Sequence, residues 1–114
     1  MFGLFRHKCK SITMDEAKEY LAADPTIKLI DVRTPPEYRE GHIPGSLNFP
    51  VDRVSHIQKV IPDKNTKLFV YCFSGSRSRN ACEILHKIGY HHVTNIGGIA
   101  FWNGEIETSE NPAV

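Results

Sequence analysis

The sequence has no run of about 18 apolar residues, the length needed for a membrane-spanning helix. It also lacks excess charge: 14 Lys and Arg face 13 Asp and Glu, a formal net charge of +1. This balance argues against a protein whose hold on nucleic acid or a membrane surface comes from bulk charge. Cysteine is scarce and odd in number, at Cys9, Cys72 and Cys82. No two form a Cys-x2-Cys zinc pair, and three make no disulfide framework, so all read as free thiols. The six histidines include no helical pair flanking a glutamate, and none reads as a metal ligand. Gly97-Gly98 has no third glycine at the spacing of a dinucleotide fingerprint. Repeats and low-complexity stretches are absent. Met1 to Lys8 is too short and basic for a signal-peptide apolar region, so a cytoplasmic location is expected, where thiols stay reduced.

What remains is an ordinary globular balance, 40% hydrophobic and 24% charged, over 114 residues, enough for one domain with its own core. Residues 1–10 read as a basic lead-in, 11–104 as the domain and 105–114 as a polar tail. Thr13 and Glu16 have the spacing of a capping box before a helix whose apolar stripe is Met14, Ala17, Leu21 and Ala22. Lys28 to Val32 reads as a strand, Pro35 to Tyr38 opens a short helix, and Gly41 ends it. Gly45 to Phe49 is extended. Val51 to Ile61 is helical, with Asp52 as cap and Val54, Ile57 and Ile61 on one face. Lys67 to Cys72 is apolar on both faces, as in a central parallel strand covered by helices. Arg77 to Ile88 is a helix with the stripe Ala81, Ile84, Leu85 and Ile88, and His92 to Ile96 is a last strand. Gly97-Gly98 then turns into a short helix through Trp102. This alternation predicts an α/β domain with a mostly parallel central sheet of about five strands and helices on both faces.

The chemistry gathers after Lys67 to Cys72. Ligands in open α/β sheets bind beyond the carboxyl ends of the strands, and Cys72 sits at such an end. Phe73-Ser74-Gly75-Ser76-Arg77-Ser78 follows, then a helix. Gly75 permits a tight curl, and small Ser74 and Ser76 leave inward-facing N–H groups unobstructed, which makes an anion nest. The helix turns its positive end to the same place, and Ser76 or Ser78 is a candidate cap. Arg77 adds a permanent cation, aimed into the pocket or paired with a carboxylate outside it. A thiol so placed ionises below the ordinary cysteine pKa of about 8.5 and needs no histidine base.

Cys72-Phe73-Ser74-Gly75-Ser76-Arg77-Ser78 resembles the active-site loop of rhodanese-like domains. Asp31-Val32-Arg33, Glu37-Tyr38, Gly41-His42-Ile43-Pro44-Gly45-Ser46 and Asn48-Phe49-Pro50 resemble the family's first signature, and Gly97-Gly98 with Trp102 and Gly104 its C-terminal one. The likeness runs from about Ser11 to Gly104, in order and spacing. It implies a single-domain sulfurtransferase working through a Cys72 persulfide. Phe73 to Ser78 would bind the substrate, a small sulfur-donor anion such as thiosulfate or a persulfide. A thiol, a protein or cyanide would be the acceptor. Neither a metal nor an organic cofactor is implied. Cysteine phosphatases and arsenate reductases offer a rival reading, but phosphatases of related fold place five residues between cysteine and arginine, where this chain has Phe73 to Ser76. A persulfide carrier with little turnover of its own is a further alternative.

Other residues read as structural. Asp31 and Arg33, just past a buried strand, are expected to fix nearby loops by hydrogen bonds and so support the site. Cys82 reads as helix packing, Cys9 as incidental and Trp102 as core. The short chain, with no spare apolar helix, favours a monomer.

Overall fold

The computed structural model describes residues 9–109. Most of the basic lead-in (1–8) and half of the polar tail (110–114) lie outside the described residues. Five strands form one sheet in the order β1-β5-β4-β2-β3: β1 Lys10–Ser11, β2 Lys28–Asp31, β3 Leu47–Asn48, β4 Lys67–Cys72 and β5 His92–Gly98. Every pairing is parallel. The helices are α1 Met14–Ala23, α2 Pro35–Glu40 and α3 Ser76–Lys87, with 3₁₀ helices at Val51–Lys59 and Ile99–Phe101.

β4 is central because it can be buried on both faces. Leu68, Val70 and Cys72 join one core cluster, with Leu85 of α3 and with Val54 and Ile57 of the first 3₁₀ helix. Phe69 and Tyr71 point the other way, into a cluster with Met14 and Ala17 of α1. Strand alternation thus assigns Cys72 to the α3 side of the sheet.

The helix ends follow the sequence closely. Thr13 and Glu16 form the expected capping box on α1. A second one, Thr34 with Glu37, starts α2 and was not read from the sequence. Val51–Lys59 differs from expectation: it is 3₁₀, follows Pro50 rather than an Asp52 cap, and kinks at Arg53. Val54, Ile57 and Ile61 are nevertheless all buried, because the apolar face rather than the helix type decides what is covered. β5 continues through Gly97 and Gly98, where the sequence suggested a turn. The tail is partly docked, since the backbones of His42 and Glu107 exchange hydrogen bonds, both 2.9 Å.

The expectation of three free thiols is corrected. Cys9 and Cys82 form a disulfide, with Cα atoms 5.9 Å apart, and Cys72 is the free cysteine. The reason lies in the topology. β1 pairs with β5, and α3 packs on β5, so the residue before β1 meets the buried face of α3. The inference from an expected reducing compartment to free thiols therefore does not hold for this pair.

Candidate active site

Cys72 ends β4 with 1% of its surface exposed. Beyond it the backbone curls back on the sulfur. Gly75 adopts φ 113°, a left-handed conformation that disfavours a side chain, and this turn aims its N–H at Cys72 Sγ, 3.0 Å away. The Ser78 hydroxyl lies 3.4 Å from the same sulfur. Burial pushes the thiol pKa up, but the Ser78 hydroxyl and the N–H groups of Ser78, Gly75 and Ser74 outweigh it, and the net pKa is below the ordinary value. The positive end of α3 lies within the same turn, where its free N–H groups favour an anion. Gly75, rather than Ser76 or Ser78, occupies the cap position, and no side chain caps the helix.

The loop rests on the end of β5. Gly98 has ordinary extended backbone, but a Cβ there would stand 1.9 Å from the Phe73 carbonyl oxygen and 2.5 Å from Ser74 Cα. The site needs glycine at that position for close approach, not for conformational freedom. Ala100 N–H also donates to the Phe73 carbonyl at 3.3 Å, while the Phe73 ring is 53% exposed.

Arg77 does not enter the cradle. Its guanidinium forks onto Glu37 at the start of α2, with N–O distances of 2.7 and 3.0 Å. The Arg77 bond holds the Glu37 carboxyl down at about 2. Arg77 still contributes an attractive charge to Cys72, but a shared one.

Asp31 and Arg33 form a buried ion pair. Arg33 Nη2 donates to Asp31 Oδ2 at 2.7 Å and to the Gly41 carbonyl at 2.6 Å, a buried pair that pins the end of α2 beside the end of β2. Glu37, Glu40, Gly41, Arg33, Phe73 and Ile99 line a depression of about 320 Å³ beside the loop. A larger hollow of about 970 Å³ lies elsewhere, between α1 and the segments around Pro44 and Trp102, and holds no residue of the Cys72 loop. Of the two, only the smaller adjoins the Cys72 loop, through Phe73.

Sequence reasoning missed Asn95. Its side chain is buried beneath the loop, taking a hydrogen bond from Ser78 and giving one to the Gly75 carbonyl. In the sequence it is one polar residue in a strand, and only the pairing of β5 with β4 brings it to Cys72. Glu37 was quoted in a signature, but its role as partner of Arg77 carried no local signal.

The arrangement offers a low-pKa sulfur in a cradle of backbone donors, suited to attacking a group and carrying it as an anion. The model of the rhodanese-like domain matches residues 13–105. A thiosulfate sulfurtransferase of Escherichia coli, PspE, is 45% identical over 71 residues, covering 61% of this chain and 68% of the relative. A sulfurtransferase of Allochromatium vinosum is 37% identical over 92 residues, 80% of this chain and 85% of its own. Among solved structures, an E. coli rhodanese with anions superposes with TM-score 0.69 at 38% identity, covering 73% of this chain and 99% of that one. A rhodanese-like domain protein of Staphylococcus aureus gives TM-score 0.78 at 32% identity, covering 89% and 99%. With the parallel sheet, the cysteine loop at the end of β4 and these relatives in agreement, the chain belongs to the family of rhodanese-like domains.

Proposed function

We propose that this chain is a sulfurtransferase that carries sulfur on Cys72. The observation that carries this reading is the Gly75 N–H 3.0 Å from Cys72 Sγ, at the end of a buried strand and the start of a helix. The Cys72 thiolate attacks the outer sulfur of thiosulfate or of a persulfide. A bond forms between the two sulfurs, the donor's own sulfur–sulfur bond breaks, and sulfite or a thiolate leaves with the electron pair. The Cys72 persulfide anion is held by the same backbone donors, of which Gly75 is the best placed. An acceptor thiolate or cyanide then attacks the terminal sulfur, and Cys72 leaves as thiolate. No net charge is created, so a fixed ring of dipoles is sufficient machinery.

The short loop supports sulfur over phosphate. With four residues between Cys72 and Arg77, and Arg77 turned onto Glu37, no cationic fork is left in the cradle to clamp a tetrahedral phosphate. A protein acceptor is favoured by the exposed Phe73 ring at the rim, which could dock a partner while its sulfur is exchanged.

The test is intact-mass spectrometry after incubation with thiosulfate, before and after cyanide. The expected result is a gain of about one sulfur atom, mapped to Cys72 and removed by cyanide, the covalent intermediate of a relay. In Cys72→Ser the gain disappears while the fold remains. Loading by a persulfide but not by thiosulfate would identify the persulfide as donor. No loading from either, with Cys72 reduced and the protein folded, would overturn the reading.

A further inference from the structure

The buried amide of Asn95 has its orientation fixed by the backbone. Gly97 N–H donates to its Oδ1 at 2.9 Å, and its Nδ2 donates to the Gly75 carbonyl at 3.3 Å. Oδ1 is therefore the acceptor end, and it lies 2.7 Å from Ser78 Oγ. A hydroxyl has one proton to give. Ser78 has three places for it: Asn95 Oδ1 at 2.7 Å, the Gly75 carbonyl at 3.0 Å and Cys72 Sγ at 3.4 Å. The shortest bond goes to Asn95. With the proton there, Ser78 Oγ is left to accept from the Cys72 thiol.

Strand alternation places Asn95 on this face, and an irregularity follows directly after it. Val93 and Asn95 share the α3 face of β5 by alternation. The register then shifts: Val70 pairs with Asn95, but Tyr71 pairs with Gly97. The extra residue, Ile96, sets Gly97 and Gly98 opposite Tyr71 and Cys72, and the Gly97 N–H turns back onto Asn95 Oδ1.

We propose that Asn95 is a positioning residue for Cys72, holding the Ser78 hydroxyl proton away from the thiol and yielding it to the thiolate. When Cys72 ionises, its proton goes to water. The Ser78 hydroxyl turns to donate to the sulfur, and Asn95 Oδ1 keeps the Gly97 N–H, so no buried acceptor is left empty. The charged groups on neighbouring elements are already engaged or remote. Arg77 of α3 is bound to Glu37 of α2, and Arg33 to Asp31 at the end of β2. The charged residues of the 3₁₀ helix, Asp52, Arg53 and Lys59, and its His56 are exposed, as is His92 at the far end of β5. The proposal deepens the reading of Cys72 as the nucleophile and rests on it.

The test is a double-mutant cycle read as the pH midpoint of Cys72 thiolate absorbance in the disulfide-intact protein, where no other thiol titrates. Asn95→Leu removes the competing acceptor, so the midpoint falls. Ser78→Ala alone raises the midpoint, by less than the full worth of that bond because Asn95 competes for the hydroxyl proton. In the Asn95→Leu background it raises it by about one pH unit more, since a hydrogen bond to a charged group is then lost without compensation. If the two changes add, or Asn95→Leu leaves the midpoint in place, the proposal is overturned. If Asn95→Leu does not fold, the near-isosteric Asn95→Asp is used. Its carboxylate raises the midpoint, and Ser78→Ala removes part of that rise; an equal rise with and without Ser78 overturns the proposal. The titration needs no sulfur donor, so its failure is distinguishable from a failure of sulfur transfer.

Discussion

At the scale of single residues, the site depends as much on what is missing as on what is present. Gly98 leaves room for the Phe73 carbonyl, and any side chain there must displace backbone on both sides. Gly98→Ala is therefore expected to lower sulfur loading by at least tenfold and to destabilise the fold by about 2 kcal/mol or more, in the range of overpacking. Denaturant unfolding and the loading assay read the two effects separately. Gly75→Ala has a different cause: its Cβ would only touch Gly97 Cα at 3.5 Å, but φ 113° strains the backbone. Cys72 and its loop were legible in the sequence because they are contiguous, so the small residues, the cation and the following helix declare themselves together. Asn95 and Glu37 were not, because each acts through a partner that only the folded sheet supplies.

Between elements, the Arg77–Glu37 pair joins the start of α3 to the start of α2 across the mouth of the site. The Glu37 pKa is depressed from 4.5 to about 2, so the pair's stabilisation is fully present above about pH 4.5 and disappears as the pH falls toward 2. Both side chains are about a third exposed, so solvent reduces the pair's worth to roughly 0.5–1 kcal/mol. Glu37→Gln should therefore flatten the acid limb of the stability curve between pH 4.5 and 2 by that amount, measured by denaturant midpoints across pH; an unchanged acid limb would show that the pair contributes nothing. Elements that bury a periodic face were legible, as α1, β4 and α3 show. The 3₁₀ form of Val51–Lys59 was not, since 3₁₀ and α helices bury nearly the same residues and differ in hydrogen bonds set by Pro50 and the kink at Arg53. The two-residue β1 was hidden for another reason: it carries no pattern of its own and exists only against β5.

For the whole molecule, the Cys9–Cys82 disulfide is the main departure from expectation. It closes a loop over a sequence separation of 73, and chain entropy puts the upper bound of its stabilisation at about 4.4 kcal/mol. Reduction, or Cys9→Ser, should lower unfolding stability by about 2–4 kcal/mol. Cys72 reactivity should change little, because the sulfur is held by its own loop. Urea unfolding with and without reductant, alongside alkylation rates, checks both statements. Cysteine counting could not reveal this pair, because an odd total hides one bond and one free thiol equally well.

The all-parallel sheet also bears on how the chain is made. Lys10 finds its partner only in Thr94, so the strand translated first stays unpaired until the strand translated last has emerged. In the nascent chain Cys72 emerges before Cys82 and is the first thiol Cys9 could reach. A premature bond between the two would consume the thiol that stays free in the folded chain. Cys72 becomes buried only when α3, which carries Cys82, packs on β4, and the late arrival of β5 then brings β1 and Cys9 to the α3 side where Cys82 lies.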